Sequence, residues 1–368
     1  MNISLSLIQG APSFTACATN VTGRSSFFGG FVVKRFAFLL LTALFTAGVL
    51  TGCGTGSSNT AGANNTAGAA DDKIQIVTTI FPEYDWVMNV LGENPAGAEV
   101  TMLLDNGVDL HSFQPTADDI MKISTCDMFV YVGGESDEWV EDALEEAVNK
   151  DMAVINLLDA LGDSVKEEEL VEGMQGEEEE EAEGEEEEEP EYDEHVWLSL
   201  RNAAALTECI SGELQKIDAK NAETYKKNAD AYIAKLDALD AQYTEAVSKA
   251  NTKTVLFGDR FPFRYMTDDY GLNYYAAFVG CSAETEASFE TITFLAGKVD
   301  ELSLPAVLTI EGKDHRIAET IVENTAANNQ EILTLDSMQA TTSKDVEGGT
   351  TYLSIMEGNL EVLKTALN

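Results

Sequence analysis

A single long helical pattern divides this chain into two blocks. From Ala219 to about Ala250, apolar residues recur every three or four positions behind a candidate N-cap, Asp218. About 32 residues at 1.5 Å rise make a rod of roughly 48 Å, which is too long for a routine globular helix. Because only one such stretch exists, we predict a helix over 218–251 that bridges two lobes, rather than a coiled-coil stalk.

Short β-branched runs alternate with helical segments on both sides of this helix. The first block, 73–217, opens with a run that ends at Ile80, and the second block, 252–368, opens with a run over 254–257. Such alternation is typical of parallel strands joined by right-handed helical crossovers. We therefore predict an α/β fold with two Rossmann-like lobes, each built on a parallel sheet and joined by a single long α-helix.

An acidic insertion interrupts the first block. Between residues 177 and 194, 14 of 18 residues are Asp or Glu. A run of this composition cannot bury enough apolar surface to fold, so we predict a disordered loop over 165–194. Two interpretations of its role stay open. It is either a solvated insertion, or a loop that concentrates cations or shapes the entrance to a binding site.

The amino end carries a targeting signal. Lys34 and Arg35 precede the uncharged run Phe36–Leu50. This run is too short for a membrane-spanning helix, which needs about 20 residues, but it suits the core of a signal peptide. It ends in Leu-Thr-Gly-Cys, which resembles a bacterial lipobox. The cysteine of that motif, Cys53, would become the lipidated first residue of the mature protein.

This signal predicts where the mature protein resides. We expect residues 1–52 to be the signal region, with a start codon assigned upstream of the true one. Residues 53–72 are rich in Gly, Ser, Asn, Thr and Ala, which predicts a flexible tether. The folded part would then be held by a lipid anchor at the extracytoplasmic face of the cell membrane.

The formal charge of -43 limits the possible partners. A chain this acidic repels phosphate backbones, so we expect no nucleic-acid partner. It tolerates cations well. Acidity that only keeps a surface protein soluble explains the overall charge equally well.

The cysteines beyond the lipobox form no disulfide pattern. Their number is odd, their spacing is wide, and no pair makes a Cys-x-x-Cys metal knuckle. We expect Cys126, Cys209 and Cys281 to be small, buried, apolar residues.

Only three histidines are present, and each lies at an end or a restart of the strand–helix pattern: His111, His195 and His315. Ligands of open α/β sheets gather at the carboxyl ends of strands. Asp336 ends the last predicted strand, and histidine together with carboxylate suits zinc and manganese. Each residue alone is a weak signal, because a lone histidine is more often structural and an aspartate at a strand end is more often a cap.

Two segments around the first two histidines match the patterns of one known family. DLHSFQPTADDI (109–120) resembles the segment DPH-(S/T)-(F/Y)-x-P-(S/T), with Leu110 in place of the usual proline. DEHVWLSLRNA (193–203) resembles D-x-H-x-W-(L/M)-(S/D)-P-x-N-A, with Leu200 in place of proline. The family with these patterns is the ABC solute-binding proteins specific for zinc and manganese.

Two further segments extend the resemblance into the second block. DRFPFRYMTDDYGL (259–272) resembles H-x-A-(F/Y)-x-Y-(F/L)-x-x-x-Y-G-L. LTLDSM (333–338) resembles the family's last ligand strand. The similarity therefore covers both blocks apart from the acidic loop.

The resemblance implies one divalent metal in the cleft between the lobes, with ligands from both. His111 and His195 match the first two family ligands, and Asp336 matches the last. Asp193 and Glu194 could orient His195 through its second ring nitrogen.

The third family ligand has no match in this sequence. It falls on Arg260, which stays charged and has no acceptor, so it cannot bind a cation. Arg260 could instead pair with a carboxylate such as Asp336. The site would then use water or recruit another group, and the candidates for that group are Asp259, Glu311, His315 and Cys281.

The family implies the extracytoplasmic component of an ABC importer, a monomer that captures zinc or manganese and delivers it to a membrane permease. Two imidazoles favour zinc, whereas the unmatched ligand and the acidic loop leave manganese open. A surface adhesin or interaction lipoprotein with the same fold is the alternative. We expect no catalysis, since the sequence has no HExxH, GxSxG or P-loop motif.

Overall fold

Two parallel sheets, one on each side of a long helix, organise the part of the chain that the structure describes. The structure is a computed structural model, and it describes residues 17–20, 73–176, 191–282, 286–312 and 314–368. The predicted fold class, two α/β lobes with parallel sheets joined by one long helix, is confirmed.

The sheet of the first lobe has four parallel strands and a short antiparallel edge strand. The strands are β1 (Thr19–Asn20), β2 (Gln75–Thr78), β3 (Glu99–Met102), β4 (Met128–Tyr131) and β5 (Ala153–Asn156). They lie in the order β1-β5-β4-β2-β3, and β1 runs antiparallel to β5. The helices of this lobe are α1 (Phe81–Leu91), α2 (Ala117–Thr125), α3 (Trp139–Glu145), α4 (Leu157–Leu161) and α5 (Leu200–Ile217). All four residues of β4 are buried, as expected when helices cover both faces of a parallel sheet.

The sheet of the second lobe is wholly parallel. Its strands are β6 (Thr254–Phe261), β7 (Asn273–Val279), β8 (Ala306–Thr309) and β9 (Glu331–Thr334), in the order β7-β6-β8-β9. The helices that follow the linking helix α6 (Ala222–Lys249) are α7 (Arg264–Tyr270), α8 (Phe289–Leu302), α9 (Arg316–Glu323), α10 (Ser343–Glu347) and α11 (Tyr352–Ala366). The carboxyl ends of these strands lie at one edge of the sheet, where ligands of such folds bind.

The linking helix α6 spans Ala222–Lys249, 28 residues or about 42 Å. It begins later than predicted, because Asp218 ends α5 and its carboxylate accepts hydrogen bonds from Asn221 and Tyr225. One stripe of α6 is buried: Tyr225, Ala229, Tyr232, Leu236, Leu239, Tyr243 and Val247.

Contacts from α6 and α11 join the lobes into one core. The Tyr232 hydroxyl of α6 donates to the Asp85 carboxylate of α1 at 2.9 Å. Tyr352 of α11 packs edge-on against Trp86 with ring centroids 5.5 Å apart, and its hydroxyl donates to the Trp197 carbonyl oxygen at 2.7 Å. Buried side chains of both lobes form a continuous hydrophobic cluster. Because separating the lobes would expose this cluster, we expect the lobes to move little relative to each other.

The structure of the acidic insertion differs from its prediction at both flanks. Residues 165–176 and 191–194 have described positions, where a disordered loop was predicted throughout. The backbone N–H of Gln175 donates to the carbonyl oxygen of Ala277 in β7 at 2.9 Å. Met174 is 8% exposed, so burial of its apolar side chain stabilises the first flank. The acidic composition of the surrounding sequence had predicted disorder there. The rest of the insertion lies outside the described residues.

A disulfide joins Cys17 to Cys209, which is buried as expected but was not predicted to be bonded. Because Cys17 lies within the predicted signal region 1–52, a mature protein that begins at Cys53 would lack this bond and keep Cys209 as a buried thiol. The two cysteines are 192 positions apart, so no local spacing could reveal the pair. Cys126 is free and buried, as expected. Cys281 is free but only half-buried, which departs from the same expectation.

The targeting segments fall almost entirely outside the described residues. Apart from residues 17–20, the predicted signal region 1–52 is not described, and neither is the tether 53–72 with Cys53. In the described ranges, no helix is long and apolar enough to cross a membrane. The lipobox and the tether therefore stay predictions.

Candidate metal centre

His111 lies on a short turn after β3 that a carboxylate holds in place. Leu110–Ser112 form one 3-10 turn, and the Asp109 carboxylate accepts a hydrogen bond from the His111 backbone N–H at 3.1 Å. Leu110, which replaces the family's proline, is 1% exposed and anchors the turn in the core. Asp109 also forms an ion pair with Arg260 of β6, so the turn faces the second lobe.

His195 is fully buried where the chain leaves the acidic insertion. Asp193 Oδ1 accepts from the His195 backbone N–H at 2.9 Å and lies 3.0 Å from its ring Nδ1. The ring also packs against Trp197, with centroids 5.1 Å apart. Because the carboxylate holds a proton on Nδ1, the free lone pair of His195 is on Nε2.

Two groups surround Nδ1 of His111 in a similar way. Ser136 Oγ lies 2.7 Å from this nitrogen, and the Glu194 carboxylate lies 3.5 Å from it. Glu194 is buried, and its Oε2 has no hydrogen-bond partner among the described residues. Gly134, at φ +80°, makes room for it, since a Cβ there would lie 2.3 Å from Glu194 Oε1. A buried carboxylate beside Nδ1 favours a proton on that atom, which leaves Nε2 of His111 free.

The two Nε2 atoms lie 3.2 Å apart. With both protons on the Nδ1 atoms, two lone pairs face each other, and they repel unless a cation or a proton lies between them. Two imidazole ligands of one tetrahedral zinc ion, at Zn–N distances of about 2.0–2.1 Å, have their nitrogens about 3.3 Å apart. The histidine pair therefore has the spacing of two ligands to one zinc ion.

A third donor atom comes from the second lobe. His111, His195 and Cys281 form a group in which one potential ligand atom of each residue lies within 4.8 Å of the other two. It is the one such group of three or more His, Cys, Asp or Glu side chains in the described ranges. Cys281 follows β7, and its backbone N–H donates to the Glu168 carboxylate at 3.2 Å. A cavity of about 220 Å³ lies beside the group, lined in part by Glu168 and Glu194.

Asp336 and Glu311, two of the ligands predicted from the sequence, lie outside this group. Asp336 Oδ1 accepts the backbone N–H of Met338 at 2.8 Å. The Glu311 carboxylate accepts the backbone N–H groups of Ser337 at 2.6 Å and Gln339 at 3.0 Å. Both carboxylates therefore stabilise the conformation of the loop after β9 by accepting its backbone N–H groups.

Asp259 and His315, the other two predicted ligands, also lie outside the group. The Asp259 carboxylate accepts the backbone N–H groups of Arg260 at 2.9 Å and Ile310 at 3.2 Å. His315 is the N-cap residue of α9, and its Nδ1 is buried with no hydrogen-bond partner in the described part of the chain. Neither side chain comes together with His111 and His195.

Arg260, at the position of the family's third ligand, pairs with Asp109 and not with Asp336, the partner considered from the sequence. Both side chains of this pair are mostly buried, at 17% and 23% exposure. The guanidinium thus ties β6 of the second lobe to the turn that carries His111. A position that supplies a metal ligand in the family supplies a contact between lobes here.

Burial controls the protonation of the first histidine and of its carboxylate neighbour. Burial, aided by the neighbouring His195 ring and the Arg260 guanidinium, lowers the pKa of His111 to about 3 and outweighs the opposing effect of the Asp109 carboxylate. The imidazole is therefore neutral near pH 7, which is the form that binds a metal. Burial also raises the pKa of Glu194 above its ordinary value.

Comparison with known proteins identifies the family. Residues 76–366 match the family described as Zinc-uptake complex component A periplasmic, or ZnuA. The chain belongs to this family. The ZnuA family comprises solute-binding components of zinc ABC transporters, not enzymes, so the resemblance inferred from the four sequence segments is confirmed.

Two curated relatives and one crystal structure illustrate the similarity to other ZnuA-family proteins. The zinc-binding lipoprotein AdcA of Streptococcus pneumoniae is 33% identical over 295 residues, which are 80% of this chain and 56% of AdcA. The high-affinity zinc uptake system protein ZnuA of Bacillus subtilis is 31% identical over 309 residues, 83% of this chain and 92% of that protein. The crystal structure of the Zn(II)-bound ZnuA-like domain of S. pneumoniae AdcA matches at 30% identity with a TM-score of 0.62, over 80% of this chain and 99% of that domain. The chain thus spans about half the length of AdcA.

One feature of the site was not foreseen from the sequence. Glu194 directly precedes His195 and was expected to orient that residue, but its carboxylate lies beside His111 and accepts the backbone N–H of Ser136 at 2.9 Å. Ser136 and Glu194 are 58 positions apart. Only the pairing of the two segments in three dimensions brings them together.

Proposed function

We propose that this ZnuA-family chain captures Zn²⁺ outside the cytoplasm and delivers it to the permease of an ABC importer. The observation that carries the proposal is the pairing of the mostly buried imidazole of His111 with the fully buried imidazole of His195, whose Nε2 atoms lie 3.2 Å apart. Two relatives also support zinc: AdcA is a zinc-binding lipoprotein, and B. subtilis ZnuA is the protein of a high-affinity zinc uptake system.

Carboxylates around the histidine pair serve to orient it. Asp193 fixes the ring of His195 through Nδ1, and Glu194 lies beside Nδ1 of His111. Such partners fix the tautomer and raise the basicity of a ligating imidazole. Their negative charges also favour a cation at the neighbouring nitrogens.

Capture and release use local movements of loops rather than a hinge between lobes. The lobes share a continuous core, and α6 packs against both of them. The 3-10 turn that carries His111 and the segment after β7 that carries Cys281 are short and lie at strand ends. Movement of these segments on contact with the permease would open the site and release the ion.

A lipid on Cys53 holds the protein, as a monomer, at the extracytoplasmic face of the membrane. The support for this anchor is the lipobox sequence and the polar tether that follows it. Replacing the acylated cysteine removes the attachment point of the lipid, so the Cys53→Ala variant should no longer incorporate a radiolabelled fatty acid, whereas wild type does. A Cys53→Ala protein that is still labelled would contradict lipid anchoring at this residue.

Zinc titration of the purified protein tests the capture step. We expect wild type to bind one equivalent of Zn²⁺ tightly, and His111→Ala and His195→Ala to lose this binding because each removes a ligand nitrogen. His315→Ala is the matched control, since His315 lies outside the histidine pair, and it should bind zinc like wild type.

Two results of this titration would overturn the proposal. Wild type that binds no zinc tightly would make an adhesin of the same fold the better interpretation. Zinc binding that survives in His195→Ala but is lost in His315→Ala would move the site to another part of the second lobe.

A further inference from the structure

We propose that the thiolate of Cys281 is the third protein ligand of the zinc ion and makes the site select zinc over manganese. This inference rests on the proposed function, because it assigns a donor to the same site. It concerns a residue that the four family-like segments do not contain.

Geometry is the first support for the assignment. Cys281 follows β7, and its Sγ belongs to the group with the two imidazole nitrogens, in which every ligand atom lies within 4.8 Å of the others. Two nitrogens and one sulfur of a tetrahedral zinc site are separated by about 3.3–3.6 Å, from Zn–N of about 2.0–2.1 Å and Zn–S of about 2.3 Å. Small shifts of these side chains would therefore bring all three atoms to ligand distance.

The residue before Cys281 allows this close approach. A Cβ on Gly280 would lie 3.0 Å from Cε1 of His195 and 3.0 Å from the carbonyl oxygen of Phe261. Because glycine has no side chain, the backbone after β7 can lie directly against the ring of His195. The same segment is held from the other side by Glu168, which accepts the Cys281 backbone N–H.

Among the described residues, no other donor of the second lobe joins this group. Arg260 holds the position of the family's third ligand and is paired with Asp109. The carboxylates of Asp259 and Glu311 accept backbone N–H groups. Cys281 is a half-buried free thiol beside a cavity, so it is exposed to an entering ion in a way that the buried Cys126 is not.

The chemistry of the donor set determines the metal. Thiolate sulfur is a soft ligand that suits zinc, whereas manganese prefers carboxylate, carbonyl and water oxygens. On binding, the thiol releases its proton to solvent and the sulfur lone pair forms the bond to Zn²⁺. Two imidazoles and one thiolate then leave a fourth position for water or for a carboxylate from the cavity wall.

Cobalt and zinc titrations of the purified full-length protein test the assignment. Cobalt bound by wild type should show a near-ultraviolet thiolate-to-cobalt charge-transfer band, and Cys281→Ser should bind cobalt without that band. Zinc affinity of Cys281→Ser should fall by more than about 10-fold, because even partners outside the ligand set cost about 10- to 100-fold. The ratio of zinc to manganese affinity should fall as well.

The controls separate this inference from the proposed function. Cys126→Ser changes the other free cysteine of the described residues and should keep the charge-transfer band and the zinc affinity. His195→Ala tests the proposed function itself. If zinc binding needs His195 but is unchanged in Cys281→Ser, with no charge-transfer band in wild type, the thiolate assignment is wrong and the proposed function stands. If wild type binds no zinc at all, both are wrong.

Discussion

At the scale of single residues, the site depends on which nitrogen of each imidazole carries the proton. Asp193 lies against Nδ1 of His195, and Glu194 and Ser136 lie against Nδ1 of His111. Both rings then direct a lone pair into the same 3.2 Å gap. With both lone pairs free, this arrangement is unfavourable in the metal-free protein and favourable once a cation enters, so relief of the repulsion adds to the binding energy.

A prediction at this scale concerns Gly280. In Gly280→Ala, the new Cβ atom would lie 3.0 Å from the His195 ring and 3.0 Å from the Phe261 carbonyl oxygen, which is too close for an ordinary contact. The segment with Cys281 must therefore move away from the histidines. We expect weaker zinc binding in a calorimetric titration, with the folded structure kept.

Gly297→Ala is the matched control for this change. Gly297 lies within α8, and a Cβ there meets no atom within 4 Å. Since alanine is the better helix former, this variant should bind zinc like wild type and be equally or slightly more stable, by up to about 1 kcal/mol. Equal zinc affinity in Gly280→Ala and Gly297→Ala would contradict the role given to the close approach at Gly280.

The residue scale also shows where sequence reasoning stops. His111 and His195 could be predicted because each sits in a segment with a family pattern. Cys281 could only be one of four candidates, because its position beside them results from the pairing of β6 with β7 and from the absence of a side chain at Gly280. Arg260 could be excluded as a ligand from its chemistry alone, but its ion pair with Asp109 needed the structure.

At the scale of elements, the contact between α1 and α6 places a carboxyl group in the core. Asp85 of α1 is 7% exposed, and its carboxylate accepts a hydrogen bond from the Tyr232 hydroxyl of α6, with an oxygen–oxygen distance of 2.9 Å. Burial raises the pKa of Asp85 from 3.8 to about 6. Folding therefore favours the protonated form of this group, so its stabilising contribution is fully present below about pH 4 and is lost as the pH rises through about 6.

Asp85→Asn tests this contact, because an amide does not titrate. Between pH 5 and pH 8, we expect the free energy of unfolding of the variant to improve relative to wild type by roughly 1–2 kcal/mol. Urea unfolding of the metal-free protein at both pH values gives the comparison. Asp230→Asn on the exposed side of α6 is the control and should show little change; a pH-independent difference for Asp85→Asn would contradict the buried-carboxyl account.

The elements also differ in how well the sequence predicts them. The stripe of apolar residues in α6 was predicted from its spacing, and the same seven residues are the buried ones. The flanks of the acidic insertion were predicted to be disordered because most of their residues are acidic or polar. The few apolar residues among them, such as Met174 and Val171, pack against the core. The two flanks pair with each other, as Glu167 does with Tyr192, and Gln175 also pairs with Phe278 of β7 about 100 positions further along the chain. Local patterns in the sequence cannot reveal such pairings.

At the scale of the whole molecule, two lobes share one core, and the proposed metal site lies between them. His111 and His195 of the first lobe and Cys281 of the second form one group of potential ligands, while the Arg260–Asp109 ion pair ties the lobes together beside it. Such a site would gain affinity from preformed geometry rather than from closure of a wide cleft.

The position of zinc in crystals of the zinc-loaded protein tests the central claim most directly. Anomalous diffraction at the zinc absorption edge locates the ion independently of any assumed ligand. We predict one strong peak about 2.0–2.1 Å from Nε2 of both His111 and His195. A peak beside Asp336, Glu311 or His315, with the histidine pair unchanged at 3.2 Å, would contradict the claim that these two imidazoles capture the metal.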